Sequence, residues 1–427
     1  MGKILIKSGK LINPGGKENG QYDILIDGSK IKKIAKKINA RGAKIIDAKG
    51  MWVLPGLIDM HVHLRDPGRP DKETIESGSK AAALGGFTSI ACMANTNPPI
   101  DTPAVVEYVR SQAKKTAVVN VYPIAAVTRN LEGQELAEMG RMIKEGAVAF
   151  SDDGNPIMRA DIMRVALEYA SQFGKVIISH AENTDLSKGT QMNESALSTA
   201  IGLAGNPAAS EEMMINREII LAREFGKVHI AHVSTKAGVD LIRKAKKQGI
   251  PVTAETCPHY FSLTEEAVRK YDTNAKVSPP LRGKEDRQAV IKGLADGTID
   301  VIATDHAPHT VEEKRVEFSG AASGLIGLET ALALVITELI VKRKMDPKKV
   351  FAKLTINPAK ILGLNKGLIA VGQDADVIVV DPKTEWKVDS SKFASKSRNT
   401  PFNGWKLKGK SLTTIVGGKQ VVKKGKL

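Results

Sequence analysis

The chain has 427 residues, 42% of them apolar and 26% charged, the balance of a soluble globular protein built as two domains or as one large α/β barrel with an appendage. No apolar run approaches the roughly 18 residues of a membrane span. The start alternates like a strand rather than a secretory signal, and two cysteines, Cys92 and Cys257, exclude a disulfide framework and point to a reducing cytoplasm. A net charge of +16 accompanies only 4% aromatic residues, and its lysines are scattered, which argues for solvated faces and against a nucleic-acid partner.

Residues 1–54 alternate apolar and polar positions ("KILIKSGKLI", "DILIDGSKIKKI", "AKIIDAKG") between Gly and Asn turns, the pattern of short hairpin strands. From Leu57 onward a different rhythm begins. Eight near-continuous apolar segments follow: "GLIDMHVHLR", "FTSIACMANTN", "VVNVYPIAAVT", "AVAFSDDG", "KVIISHAEN", "KVHIAHVST", "IPVTAETCPHY" and "IDVIATDHAPH". Amphipathic helical stretches such as "KETIESGSKAAALGG" and "AGVDLIRKAKKQG" separate them. Buried parallel strands read this way, and eight βα units in a row predict a (β/α)8 TIM barrel over residues 55–364. Residues 365–427 resume the hairpin style of the first 54. The two end segments are therefore expected to form one small composite β-sandwich.

In such a barrel the C-terminal strand ends converge on one mouth. Here they carry His61, His63, Asn95, Asp153, His180, His232, His259, Asp305 and His309, although the chain has only 8 histidines. His61 and His63 stand at i and i+2, so a strand turns both to one face. Imidazoles at separate strand ends with aspartates form an N/O ligand set suited to zinc or another first-row divalent ion. Asp305, at the last strand end, could ligate the metal and accept a proton from a water bound there. In "FSDDG" only one of Asp152 and Asp153 should face the mouth, and spacing does not choose between them; a carboxylate there could bridge two ions. "SPPLRGKEDR" and "KRVEFSGAASG" read as mobile surface loops, the second able to close over substrate. Cys257 has no paired base and reads as packing.

Taken together, "DMHVHLRDPG", "MANTNPP", "SDDG", "SHAEN", "AHVST", "PPLR", "ATDHAPH" and "SKSRNTPFNGWKLKG" resemble the class I dihydroorotases of the amidohydrolase superfamily, end to end. The resemblance implies a metal-dependent (β/α)8 barrel with a flanking β-domain. It implies reversible cyclisation of N-carbamoyl-L-aspartate to L-dihydroorotate in pyrimidine synthesis by a zinc-hydroxide mechanism, with one or two zinc ions per subunit. By this resemblance His61 and His63 bind one ion, His180 and His232 a second where present, Asp153 is the shared ligand, and Asp305 is both ligand and catalytic acid/base. His63, Arg65, Asn95, His309 and Gly324 are the implied substrate-binding residues. Implied partners are the small-molecule substrate, further copies of the chain, and an aspartate transcarbamoylase.

Two positions depart from the pattern. Asp153 stands where many superfamily members carry a carboxylated lysine, and Ser278 replaces the asparagine of the frequent "NPPLR". The rival readings are another cyclic amidohydrolase, an allantoinase or hydantoinase, and a silent scaffold subunit. Arg65, suited to a two-pronged grip on a carboxylate, argues against the first, and the filled ligand positions against the second.

Overall fold

The computed structural model describes residues 2–427. Eight strands run in parallel, in the order in which they occur: β6 (Leu57–Val62), β7 (Phe87–Cys92), β8 (Asn120–Ala125), β9 (Ala149–Phe150), β10 (Ile177–Ser179), β13 (Val228–Ile230), β14 (Val252–Thr256) and β15 (Val301–Ile302). A parallel bridge between Val62 and His306 brings the last strand back to the first, and the His63 amide donates to His306 O at 2.9 Å. This is the expected barrel. Met60, Ala91, Met93, Ile124, Ala149, Ile178 and Ala303 fill its interior, so the middle is packed and only the mouth is open. Between β10 and β13 lies an unforeseen two-stranded pair, β11 (Met192–Asn193) and β12 (Gly205–Asn206).

The helices form where the amphipathic stretches predict them. Thr74 caps helix Ile75–Gly85 in a capping box with Ser77, and Gly86, at φ 88°, ends it in the left-handed conformation that glycine adopts without strain. Its buried alanines, Ala81, Ala82 and Ala83, let it lie close on the barrel.

The end segments form a second sheet. Strands β1 (Ile4–Leu11), β2 (Gly20–Asp27), β3 (Lys30–Ala35), β4 (Lys44–Asp47) and β5 (Trp52–Pro55) join β16 (Val377–Lys387), β17 (Lys406–Val416) and β18 (Lys419–Lys423). The order is β18-β17-β16-β5-β1-β2-β3, with β4 beside β1. The sheet folds over on itself: the Gly418 amide donates to Ala375 O, and the Ala375 amide to Ser29 O. Ile6, Ile24, Ile26 and Ile31 from one end meet Val377, Val379 and Ile415 from the other in a core of their own. Among the described residues no helix is long and apolar enough to cross a membrane.

Glu329 ties the two bodies together, accepting from the amides of Ala394 (2.8 Å) and Ser395 (3.2 Å). Burial pushes its carboxyl up to about 8. The folded state therefore holds a proton that the unfolded chain releases near 4.5, and this contribution to stability is lost as pH rises through that window. Glu329→Gln keeps the acceptor and removes the ionisation. Scanning calorimetry should show its midpoint a few degrees above the parent near about pH 9 and equal to it near about pH 5; equal midpoints at both would contradict this account.

Candidate active site

The strand ends bring the candidate residues together. A cavity of about 290 Å³ is lined by His63, Arg65, Asn95, Asp153, His180, His232, Asp305, His309 and Gly324, with His61 buried beneath it. Asp153 is the hub. Its Oδ1 lies 3.4 Å from His61 Nε2, His180 Nδ1 and His232 Nε2, and its Oδ2 lies 3.5 Å from His63 Nε2. Asp305 Oδ1 is 3.1 Å from His63 Nε2 and 3.6 Å from His61 Nε2. The choice between adjacent aspartates is settled here. Asp152 turns away and accepts from the amides of Val127 (2.7 Å) and Thr128 (3.1 Å) and from the Thr128 hydroxyl.

The backbone pays for this convergence in conformation. Arg65 (φ 57°), His232 (φ 36°) and Asp305 (φ 48°) all occupy the left-handed region, which is uncommon for residues other than glycine.

Two groups, His61–His63–Asp305 and His61–Asp153–His232, each bring their ligand atoms within 4.8 Å of one another. The chemistry of the donor set fits a cation. His61 Nε2 and His180 Nδ1 are buried without a hydrogen-bond partner although both face Asp153. Burial opposes protonation of His180, but the nearby Asp153 carboxylate and the hydrogen bond to Glu182 overcome it and push its pKa up to about 10. His61 is likewise driven upward against burial by Asp153 and Glu255.

Several residues escaped the sequence reading. Glu255, inside β14, receives His61 Nδ1 at 2.6 Å and His229 Nε2 at 3.2 Å, which aims His61 Nε2 into the site. A carboxylate in a largely buried strand was the available signal. Glu182 lies 3.1 Å from His180 Nε2, and its i+2 spacing in "SHAEN" was the clue. Lys72 reaches His309 Nδ1 at 3.3 Å and left no sequence signal. His306 is structural: its Nε2 meets Glu73 at 3.1 Å and its Nδ1 accepts from the Gly327 amide. His259 is buried with both ring nitrogens unpartnered, and burial lowers its pKa to about 4. Cys257 is buried, and that burial pushes its thiol well above the usual range, as packing requires.

The residues expected to hold substrate are ordered by protein contacts. Asn95 bonds His63 Nδ1 at 2.8 Å and Asp153 O at 3.2 Å. Arg65 Nε donates to Pro308 O at 3.3 Å. His309 is kept neutral by burial and by Arg65 and Lys72, which lower its pKa to about 3; its Nε2 faces Ser323 O at 2.9 Å. Gly324 stands at φ 132°, where a Cβ would lie 2.7 Å from Ala307 Cβ, so only glycine fits. Ser278 also lines the cavity.

Neither expected surface loop is free. Arg282 of "SPPLR" is buried and donates to Ser234 Oγ, Asn193 Oδ1 and Asn206 O. The following residues form helix Lys284–Asp296. In "KRVEFSGAASG", Lys314 donates to Ala322 O (2.7 Å) and Gly324 O (3.0 Å), and Lys276 to Phe318 O (2.8 Å) and Ser319 O (2.9 Å). Two ammonium groups with several donors each pin a segment whose composition suggests mobility.

The pattern of the amidohydrolase family matches residues 52–421. A dihydroorotase of Pelotomaculum thermopropionicum is 54% identical over 98% of both chains, and one of Syntrophus aciditrophicus is 52% identical over 98% of this chain and 99% of its own. Among solved structures, the L-hydantoinase (dihydropyrimidinase) of Arthrobacter aurescens superposes with a TM-score of 0.90 at 29% identity, covering 100% of this chain and 97% of its own. The D-hydantoinase of a Thermus species gives 0.84 at 26%, covering 99% and 96%. Full-length identity above one half to dihydroorotases outweighs a fold shared with hydantoinases at half that identity. The chain belongs to the amidohydrolase family, among its dihydroorotases.

Proposed function

We propose that this enzyme interconverts N-carbamoyl-L-aspartate and L-dihydroorotate in pyrimidine (UMP) synthesis. The observation that carries the reading is the placement of Arg65 in one small cavity with the cluster centred on Asp153. A substrate carboxylate and a reacting amide can then be held side by side.

His61, His63, Asp153, His180, His232 and Asp305 would hold one or two zinc ions. When bound, such an ion polarises the amide carbonyl and activates water for attack on it. In the hydrolytic direction Asp305 takes the proton of the attacking water and delivers it to the ring nitrogen as the C–N bond breaks. In ring closure it takes the proton from the attacking nitrogen and returns it to the carboxyl oxygen that departs as the C–O bond breaks. Arg65 grips the carboxylate in a fixed two-pronged geometry, and neutral His309 borders the same cavity without adding charge. Asn95 sets the tilt of His63. The same reading carries a cytoplasmic setting, a homo-oligomer and an aspartate transcarbamoylase as candidate partner, to be tested by sizing and by co-purification.

Metal analysis paired with dihydroorotate hydrolysis before and after chelation tests the proposal. Activity should fall with metal content and return with zinc; full activity in metal-free enzyme would end it. Faster turnover of hydantoin or allantoin than of dihydroorotate would favour the rival cyclic amidohydrolase. Arg65→Lys should raise KM for dihydroorotate about 10-fold or more and leave kcat within a few-fold, because an ammonium cannot reproduce the fork. An unchanged KM would remove Arg65 from this role.

A further inference from the structure

The stretch Phe393–Asn399 lies between β16 and β17 of the terminal sheet, yet it runs to the barrel mouth. Asn399 at its end is 3% exposed. Its Oδ1 accepts from the His309 amide at 3.2 Å, and its Nδ2 donates to Ala307 O at 3.0 Å and Gly324 O at 3.1 Å. Its backbone carbonyl accepts from the Ile326 amide at 2.9 Å. One residue thus fastens two separate cavity segments, Ala307–His309 and Gly324–Ile326, to each other. Neighbours reinforce it: Ser397 Oγ donates to Lys72 O at 2.8 Å, and Lys72 in turn meets the His309 ring. The Ser395 hydroxyl and Lys396 amide bond Glu73, which holds His306.

We propose that Asn399 is a positioning residue for substrate binding, through which the terminal sheet sets His309 and Gly324 opposite Arg65. Only a short amide meets the demand. The site needs two donors and one acceptor within a single side chain's reach; an aspartate would turn an oxygen toward two carbonyl oxygens, and a glutamine is one methylene too long. The barrel alone therefore carries an incomplete binding surface, and the sheet completes it.

The kinetic part of the test rests on the dihydroorotase reading; the exchange part does not. Full-length, metal-loaded Asn399→Asp, Asn399→Ala and Asn399→Ser are compared with the parent. KM for dihydroorotate should rise about 10-fold in the Asp and Ala variants and less in Ser, from buried groups left unpaired. The value of kcat should stay within a few-fold and metal content should be unchanged. Hydrogen exchange should accelerate about 10-fold at residues 306–309 and 322–326 and stay unchanged in the strands of both sheets. An unchanged KM in Asn399→Asp, exchange accelerated evenly over the whole chain, or failure of all three variants to fold would overturn the proposal. If the parent turns over hydantoin and not dihydroorotate, the functional reading fails, while the exchange pattern still decides the role of Asn399.

Discussion

Asp305→Asn should lower kcat for dihydroorotate by about three orders of magnitude, with KM within a few-fold of the parent. Positioned proton transfer is worth about 10²–10⁴ in rate, and no other group is placed to take it over. His63, 3.1 Å away, is committed to Asn95 through its other nitrogen, and burial lowers its pKa. The carboxylate itself works against burial, with the His63 hydrogen bond and the surrounding imidazoles holding it well below the usual range. In the proposed reaction it would start ionised, as a base. Metal content must be measured on the same preparation, since the carboxylate also belongs to the His61–His63–Asp305 group. A variant that keeps its metal and loses less than about 10-fold in kcat would remove Asp305 from the proton path.

Glu255→Gln should weaken metal binding about 10–100-fold, the usual cost of losing the outer partner of a ligating histidine. Glu255 is fully buried. Burial opposes its ionisation, but contacts to His61 and His229 bring its pKa down to about 2, so at neutral pH a full charge stands behind His61. Glutamine retains one acceptor and loses that charge, and its amide hydrogens compete with those of the two imidazoles. The His61 ring then has no fixed reason to aim Nε2 at Asp153. Competition with a chromophoric chelator gives the zinc affinity directly. An unchanged affinity would show that packing alone orients His61.

The barrel and the residues of its mouth were legible because they depend on local pattern. Each apolar run announces a strand, and the histidines at five of the eight ends announce the mouth. The choice between Asp152 and Asp153 was not legible, since β9 holds only Ala149 and Phe150 in its ladder and the chain turns before alternation can assign a face. Lys72 and Asn399 were hidden for another reason. Their partners, His309 and the paired segments Ala307–His309 and Gly324–Ile326, are remote in sequence, and a lysine or asparagine in a polar stretch reads as solvated. The segment around Lys314 looks mobile from its Gly and Ser content, and nothing local in the sequence shows that the ammonium finds two backbone carbonyls rather than water.

Strand β5 lies between β1 and β16, so one of its edges is satisfied only by a segment made roughly 320 residues later. At about 5–20 residues per second, the ribosome leaves that edge uncovered for on the order of half a minute. Throughout that interval the nascent chain carries an exposed row of amides and carbonyls, a template for stray pairing. The lysines spread along β1 and β3, Lys7, Lys10, Lys30, Lys32 and Lys33, put like charges on the half-made sheet, where two unfinished copies would otherwise stick together.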